Sequence, residues 1–316
     1  MTNVLILSPS FGKWSAGPAE VLADAGLTLC RPSRPGPLTS AQVRDELDGM
    51  AAVVVGLDEV DAEAISTATD LRVIAKHGVG VDNIDVAAAA ARGIRVVNVP
   101  NANAEAVADL VLGLMLNLMR RIGDADASIR RGEWETFAGP ELGELTVGIV
   151  GYGRIGRAVG RRAAAFGTRL VAFDPYAPAD SFGETERAGS IAELLECSDL
   201  VTLHMPGGGP PIIGAEQLRL LEGGYLINAA RGDLVDEAAV AGALAEGTLR
   251  GYAADAFTRE PLRDSPLLGA PNTILTPHIG AFSHATNARM GTSVARDVVA
   301  VLRAETPAHE VLPPDA

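Results

Sequence analysis

Short apolar runs rich in valine, leucine and isoleucine recur along the chain, separated by stretches whose apolar positions follow a helical period. Runs at 4–7, 27–30, 52–55, 72–75 and 95–97 have the length and composition of strands. The stretches 17–25, from Ser40 onward, 61–67 and 85–92 predict the helices between them. Such alternation implies a parallel sheet covered on both faces. Beyond Pro100 the pattern changes. Residues 104–121 form one long helical stretch, apolar at 107, 110, 111, 114 and 118 and again at 112, 116 and 119. A helix apolar nearly all round is a buried helix, and a domain junction plus a partner subunit is the expected cover. A second helix at 122–131 and a loop at 132–144 follow. The βα rhythm then resumes, with strands at 200–203, 225–228, 251–255 and 273–275, helices at 215–221 and 236–245, and a capping box opening a helix at Ser190. This second sheet has five or more strands. The last helical segment, 284–302, is expected to return to the first domain with no strand after it, which makes that domain discontinuous.

The second series opens on TVGIVGYGRIGRAVGRRAAAFGTRLVAFDP, residues 146–175, which reads as strand, glycine turn, helix, strand. Gly151, Gly153 and Gly156 have the spacing G-x-G-x-x-G. The first permits a tight turn, the second lets backbone approach a pyrophosphate, and the third lets helix and strand pack closely. Free N–H groups at the helix start face the phosphates. Asp174 ends the next strand, where a carboxylate accepts hydrogen bonds from a ribose diol, and no arginine follows it to receive a 2′-phosphate. NAD is therefore the expected cofactor. The fold class is α/β, with two doubly wound, Rossmann-like parallel-sheet domains. Their expected limits are 1–99 plus 286–316 for a flavodoxin-like substrate domain and 100–285 for the NAD-binding domain.

Composition narrows the partners. The 316 residues are 47% apolar but only 4% aromatic, which suits close-packed α/β layers. A net charge of -14 argues against the positive footprint that nucleic acid or an anionic membrane requires. A small anionic substrate must then be held by a few local cations. Cys30 and Cys197 form no C-x-x-C pair, so neither a disulfide framework nor a zinc site is indicated. With no basic leader and no uninterrupted apolar span, a cytoplasmic location is expected.

Ligands of open parallel sheets sit at the carboxyl ends of strands. There the chain places Lys76-His77-Gly78-Val79-Gly80, then Ala229-Ala230-Arg231-Gly232-Asp233, then Ala256 through Glu260, then Thr276-Pro277-His278-Ile279-Gly280. Arginine offers paired donors to carboxylate and carbonyl oxygens. Histidine takes a hydroxyl proton as hydride leaves, and a glutamate bonded to the imidazole favours its protonated form. Taken alone, each residue also has a plain reading: a loop histidine, a surface arginine, a turn-shaping glutamate. His77 and His204 read as structural or cofactor-adjacent. Asp82 and Asp85 read as helix caps. Lys76 stands open between a solvated strand end and a contact to a second anionic group on the substrate.

The stretches HGVGVDNID (77–85), NVPNANAEAVADL (98–110), TVGIVGYGRIGR (146–157), TLHMP (202–206), NAARGDLVDE (228–237), DAFTREP (255–261) and TPHIGA (276–281) resemble the D-isomer-specific 2-hydroxyacid dehydrogenases. The likeness is to the phosphoglycerate-dehydrogenase-like branch and covers almost the whole chain. It implies a dehydrogenase of small D-2-hydroxy acids in which Arg231 binds substrate and His278 with Glu260 forms the acid–base pair. Lys76, Val79, Gly80 and Asn101 would border the substrate. Gly151, Gly153, Arg154, Ile155, Gly156, Asp174, His204, Pro206, Ala229, Asp255 and Gly280 would line the NAD. A homodimer built on the helix at 104–119 is also implied. Glyoxylate or hydroxypyruvate reductases, phosphonate-pathway dehydrogenases and NAD-sensing corepressors remain as alternatives. The chain departs from the family pattern at Gly207–Pro211 and between Asp174 and Ser190.

Overall fold

The computed structural model describes residues 2–313. The chain divides into two compact units, Met1–Asn103 with Ala281–Ala316, and Ala104–Gly280.

In the first unit the elements run β1 (Thr2–Ile6), α1 (Gly17–Asp24), β2 (Leu27–Cys30), α2 (Ser40–Glu46), β3 (Met50–Val55), α3 (Ala62–Ile65), β4 (Val73–Lys76), α4 (Val86–Ala91) and β5 (Arg95–Val97). The order across the sheet is β2-β1-β3-β4-β5, the doubly wound arrangement whose direction reverses between β1 and β3. Ala52 to Val55 of β3 are completely buried, as a central strand covered on both faces requires. Asp61 caps α3 by accepting from Ala64 N, and Asp85 caps α4 by accepting from Ala88 N. Asp85 thus takes the expected cap role at the start of α4. After the second unit the chain returns as α11 (His284–Leu302), which packs on α1, β3, β4 and β5.

A further strand follows α11, contrary to the sequence expectation. Glu310–Val311 (β13) pairs antiparallel with β5. Two residues carry no periodicity for the sequence to show. What brings them back is buried Asp297 on α11, whose carboxylate accepts from Ala308 N at 2.7 Å and faces His309 Nδ1 at 2.9 Å.

The second unit begins with α5 (Ala104–Arg120) and α6 (Ile122–Arg130). Then come β6 (Thr146–Val150), α7 (Arg154–Ala164), β7 (Arg169–Phe173), β8 (Glu186–Arg187), α8 (Ile191–Glu196), β9 (Leu200–Leu203), α9 (Ala215–Leu220), β10 (Tyr225–Asn228), α10 (Glu237–Glu246), β11 (Gly251–Ala254) and β12 (Thr273–Leu275). Its seven strands are ordered β8-β7-β6-β9-β10-β11-β12 and are parallel throughout, reversing direction between β6 and β9. Ser190 caps α8 by accepting from Glu193 N, while the Glu193 carboxylate reaches Gly189 N.

The cover of α5 differs from expectation. Val107, Val111, Leu114, Met115, Leu118 and Met119 are buried within the unit itself, where α5 packs on α7, β10, β11 and β12. Leu110 and Leu116 of the same helix stay half-buried. Exposed apolar side chains lie instead on the stretch after it: Ile122 (54%), Ile129 (53%) and Trp134 (85%).

Candidate active site

Gly151 ends β6 with φ at +88°, and a Cβ there would lie 2.6 Å from the carbonyl carbon of His204. A Cβ on Gly156 would lie 2.2 Å from Gly151 O. Only glycine lets the turn, the start of α7 and the end of β9 converge at the point where the sheet reverses. Gly153 stands before α7 and supplies no side-chain cap, so the first-turn N–H groups keep their capacity for an anion. Arg154 is exposed and Ile155 half-buried on that first turn. Asp174 follows β7. Its Oδ2 accepts from Tyr152 N at 2.9 Å and its Oδ1 from Tyr176 N and Ala177 N. The tight turn, the uncapped helix start and the fixed carboxylate fit a dinucleotide.

His204 follows β9 on the other side of the switch point. Its Nε2 meets Thr202 Oγ1 at 2.9 Å, and burial lowers its pKa to about 3. Burial thus keeps the ring in its neutral form, with one N–H, rather than as an imidazolium. Pro206 is exposed beyond it. The glycine loop that follows is tied to the next strand end, because Gly208 N donates to Asp233 Oδ2 at 2.5 Å.

The turn after β10 carries Ala229 and Arg231. Asn228 shapes it: its Nδ2 donates to Arg231 O at 2.7 Å and its Oδ1 accepts from Ala230 N at 3.1 Å. Asn228 is completely buried, and sequence reading passed over it. Its only signal was an amide ending an apolar strand, where a buried polar group must have local partners. Arg231 Nη1 donates to Ala230 O at 2.8 Å.

Next to this turn, the loop after β11 and the turn after β12 bring Glu260 and His278 together. His278 Nδ1 stands 2.8 Å from Glu260 Oε2 and 3.0 Å from Oε1. Glu260 Oε1 also accepts from Phe257 N at 3.0 Å. Burial alone pushes the Glu260 carboxyl up, but the His278 bond and charge, the Phe257 amide and the Arg231 charge together hold it below the usual value. Glu237 on α10 steadies the loop by accepting from Thr258 N and Ser265 Oγ.

His278 has φ at +53°, a left-handed conformation that non-glycine residues adopt only when the surroundings impose it. Asp255 imposes it. This buried carboxylate accepts from Thr276 Oγ1 at 2.6 Å, Ile279 N at 2.8 Å and Gly280 N at 2.7 Å, enclosing the turn from both sides. Burial pushes the Asp255 carboxyl up, and these three donors offset part of the rise. Read from sequence as a cofactor neighbour, Asp255 has both oxygens engaged by the turn that carries His278.

The other expected residues belong to the first unit. Lys76 is buried at the end of β4, and its ammonium donates to Gly56 O at 2.6 Å and Asn83 Oδ1 at 2.5 Å. Burial excludes a solvated strand end, and these two bonds tie the lysine into the fold. His77 is buried, with Nδ1 at 3.0 Å from Ser8 Oγ and 3.1 Å from Ser10 Oγ. Burial lowers its pKa to about 4. Val79 and Gly80 are half-buried at the carboxyl end of the sheet, where Val79 O accepts from Asn98 Nδ2 at 2.7 Å. Asn101 is exposed with φ at +71°, which asparagine tolerates.

Residues 112–280 match the family model described as D-isomer specific 2-hydroxyacid dehydrogenase, NAD binding domain. The chain is 44% identical over 277 residues to D-3-phosphoglycerate dehydrogenase of Methanocaldococcus jannaschii, covering 85% of this chain and 53% of that one. It therefore spans about half the length of the phosphoglycerate dehydrogenases it matches. It is 39% identical over 272 residues to glyoxylate reductase of Korarchaeum cryptofilum, covering 83% of this chain and 82% of that one. Among solved structures it resembles the NADPH-dependent glyoxylate/hydroxypyruvate reductase of Sinorhizobium meliloti in complex with NADP and malonate. The TM-score is 0.83 at 30% identity, covering 98% of this chain and 96% of that one. The match to the family model and the length of the glyoxylate reductase alignment place this chain in the D-isomer specific 2-hydroxyacid dehydrogenase family.

Proposed function

We propose that the protein interconverts a small D-2-hydroxy acid and its 2-oxo acid with NAD(H), and the pairing of His278 with Glu260 carries this reading. Glu260 occupies Nδ1, which leaves Nε2 as the nitrogen that meets substrate. In oxidation the neutral ring takes the hydroxyl proton at Nε2; in reduction the imidazolium returns it to the carbonyl oxygen. Arg231 holds the substrate carboxylate through its paired donors. The glycine turn at 151–156, Arg154, Ile155 and Asp174 hold the dinucleotide, and Pro206, Ala229 and Gly280 lie beside it. When bound, the nicotinamide supplies the hydride acceptor or donor. Val79, Gly80 and Asn101 are proposed substrate contacts. Screening NADH consumption over a panel of 2-oxo acids tests the reading. Glyoxylate and hydroxypyruvate represent the reductase relatives, and a phosphorylated 2-oxo acid the phosphoglycerate dehydrogenases.

We place the protein in the cytoplasm as a homodimer. The free thiols of Cys30 and Cys197 fit a reducing compartment. Among the described residues no helix is long and apolar enough to cross a membrane. The exposed Ile122, Ile129 and Trp134, rather than α5, supply the apolar surface that a second copy would cover. Trp134→Glu should convert a dimer mass in sedimentation to a monomer mass; a parent that sediments as a monomer at every concentration would end this proposal.

A further inference from the structure

The second residue of the glycine motif is the least constrained by cofactor chemistry, yet Tyr152 there is 5% exposed and bonded at both ends. Its backbone N–H donates to Asp174 Oδ2 at 2.9 Å. Its ring stacks on Phe182, with centroids 5.0 Å apart and planes at 18°, and its hydroxyl meets Thr185 Oγ1 at 2.7 Å. Gly160 on α7 makes room for the ring, since a Cβ there would lie 3.2 Å from the tyrosine hydroxyl. Phe182 belongs to the segment after Asp174 whose sequence departs from the family pattern. Between 175 and 187 it is the only buried residue, whereas Tyr176 is 94% exposed. The guanidinium of Arg187, on β8, lies 5.3 Å from the centre of the Phe182 ring. The segment is therefore held to the sheet at its two ends and, between them, by the Tyr152–Phe182 stack and the Tyr152–Thr185 hydroxyl bond.

We infer that Tyr152 is a positioning residue for the adenosine end of the cofactor: it clamps residues 175–186 against the glycine turn and so fixes the Asp174 carboxylate that selects NAD over NADP. Rotation of that carboxylate is opposed by three N–H donors. Tyr152 N comes from the turn, while Tyr176 N and Ala177 N come from the clamped segment. Of roughly four acceptor positions on a carboxylate, these leave one on Oδ2 for a ribose hydroxyl. A carboxylate so held cannot swing aside for a 2′-phosphate, and its charge repels one. Loosening the segment releases two of the three donors and, with them, both affinity and selectivity. The inference rests on the reading of Asp174 as the ribose acceptor.

The test is to titrate NADH and NADPH by fluorescence into the parent, Tyr152→Leu, Tyr152→Phe, Thr185→Val and Asp174→Ala. Hydrogen exchange at 175–186 and the KM for a 2-oxo acid are followed alongside. Tyr152→Leu should raise the Kd for NADH about tenfold, narrow the NADH-to-NADPH preference by a similar factor, and speed exchange at 176 and 177. The KM for the 2-oxo acid should stay put. Tyr152→Phe and Thr185→Val each lose only the hydroxyl bond and should shift the Kd by less, about twofold to threefold, and alike. They keep the question answerable if the leucine variant does not fold: unequal effects, or none, would overturn the clamp. A Tyr152→Leu protein with parental Kd values overturns it as well, provided Asp174→Ala changes the preference. If Asp174→Ala also leaves the preference unchanged, the reading of the ribose acceptor fails, and the inference falls with it.

Discussion

Glu260 sits where burial and pairing oppose each other, and pairing prevails. The negative charge it keeps faces His278 Nδ1 at 2.8 Å and holds the ring with Nε2 turned away from Glu260. Glu260→Gln preserves shape and removes that charge. The variant should then lose roughly tenfold or more in kcat, because the ring is no longer fixed by a charged acceptor. Initial rates of parent and variant check this, and an unchanged kcat would remove Glu260 from the proton chemistry. Lys76 makes the opposite case, a buried cation whose ammonium is bonded to Gly56 O and Asn83 Oδ1. Lys76→Met should cost about 1–3 kcal/mol of stability in urea titrations, since it removes the charged donor shared by two part-buried acceptors. It should also change the efficiency for singly and doubly anionic acids by the same factor. A selective loss for the doubly anionic acid would restore Lys76 to the substrate site.

At the scale of elements, the turn after β12 is a strained piece held in place. A left-handed non-glycine residue costs on the order of 1–2 kcal/mol, and the three donors gathered by Asp255 offset it. Asp255→Asn turns an N–H pair toward backbone donors and undoes the arrangement. The variant should lose roughly tenfold or more in kcat while its Kd for NADH stays within about twofold. The reverse, an intact kcat with weakened NADH, would return Asp255 to the cofactor. The long strands and helices were legible in the sequence because burial imposes a period, and the glycine motif because its chemistry needs fixed spacing. Two-residue β8 and β13 show no period, so their sheet positions escaped reading. The Asn228 and Asp255 brackets escaped for another reason: a buried polar residue at a strand end declares its burial but not its partners. The stack of Tyr152 on Phe182 joins residues that no local pattern connects. The apolar face of α5 was read correctly as buried, but its cover came from α7 and the sheet.

For the whole molecule, two histidines with desolvated, neutral rings make stability fall on the acid side. Burial lowers His77 from 6.5 to about 4 and His204 from 6.5 to about 3. The unfolded chain binds the extra protons, so the stability these rings contribute is complete above the unfolded value of 6.5. It declines as pH falls from there toward the folded values. Each contributes a slope of about 1.4 kcal/mol per pH unit within that window. Urea unfolding between pH 7 and pH 5 should show the decline, and His77→Gln should flatten it.

The proton chemistry and the anchoring of substrate meet in a single measurement, the initial rate of NADH consumption with the panel of 2-oxo acids, run on the parent, His278→Gln and Arg231→Gln. The parent should reduce at least one acid of the panel, His278→Gln should lose on the order of a hundredfold to ten-thousandfold in rate, and Arg231→Gln should lose efficiency for every acid turned over. A parent that binds NADH and reduces none of the acids, or a His278→Gln enzyme as fast as the parent, would contradict the account.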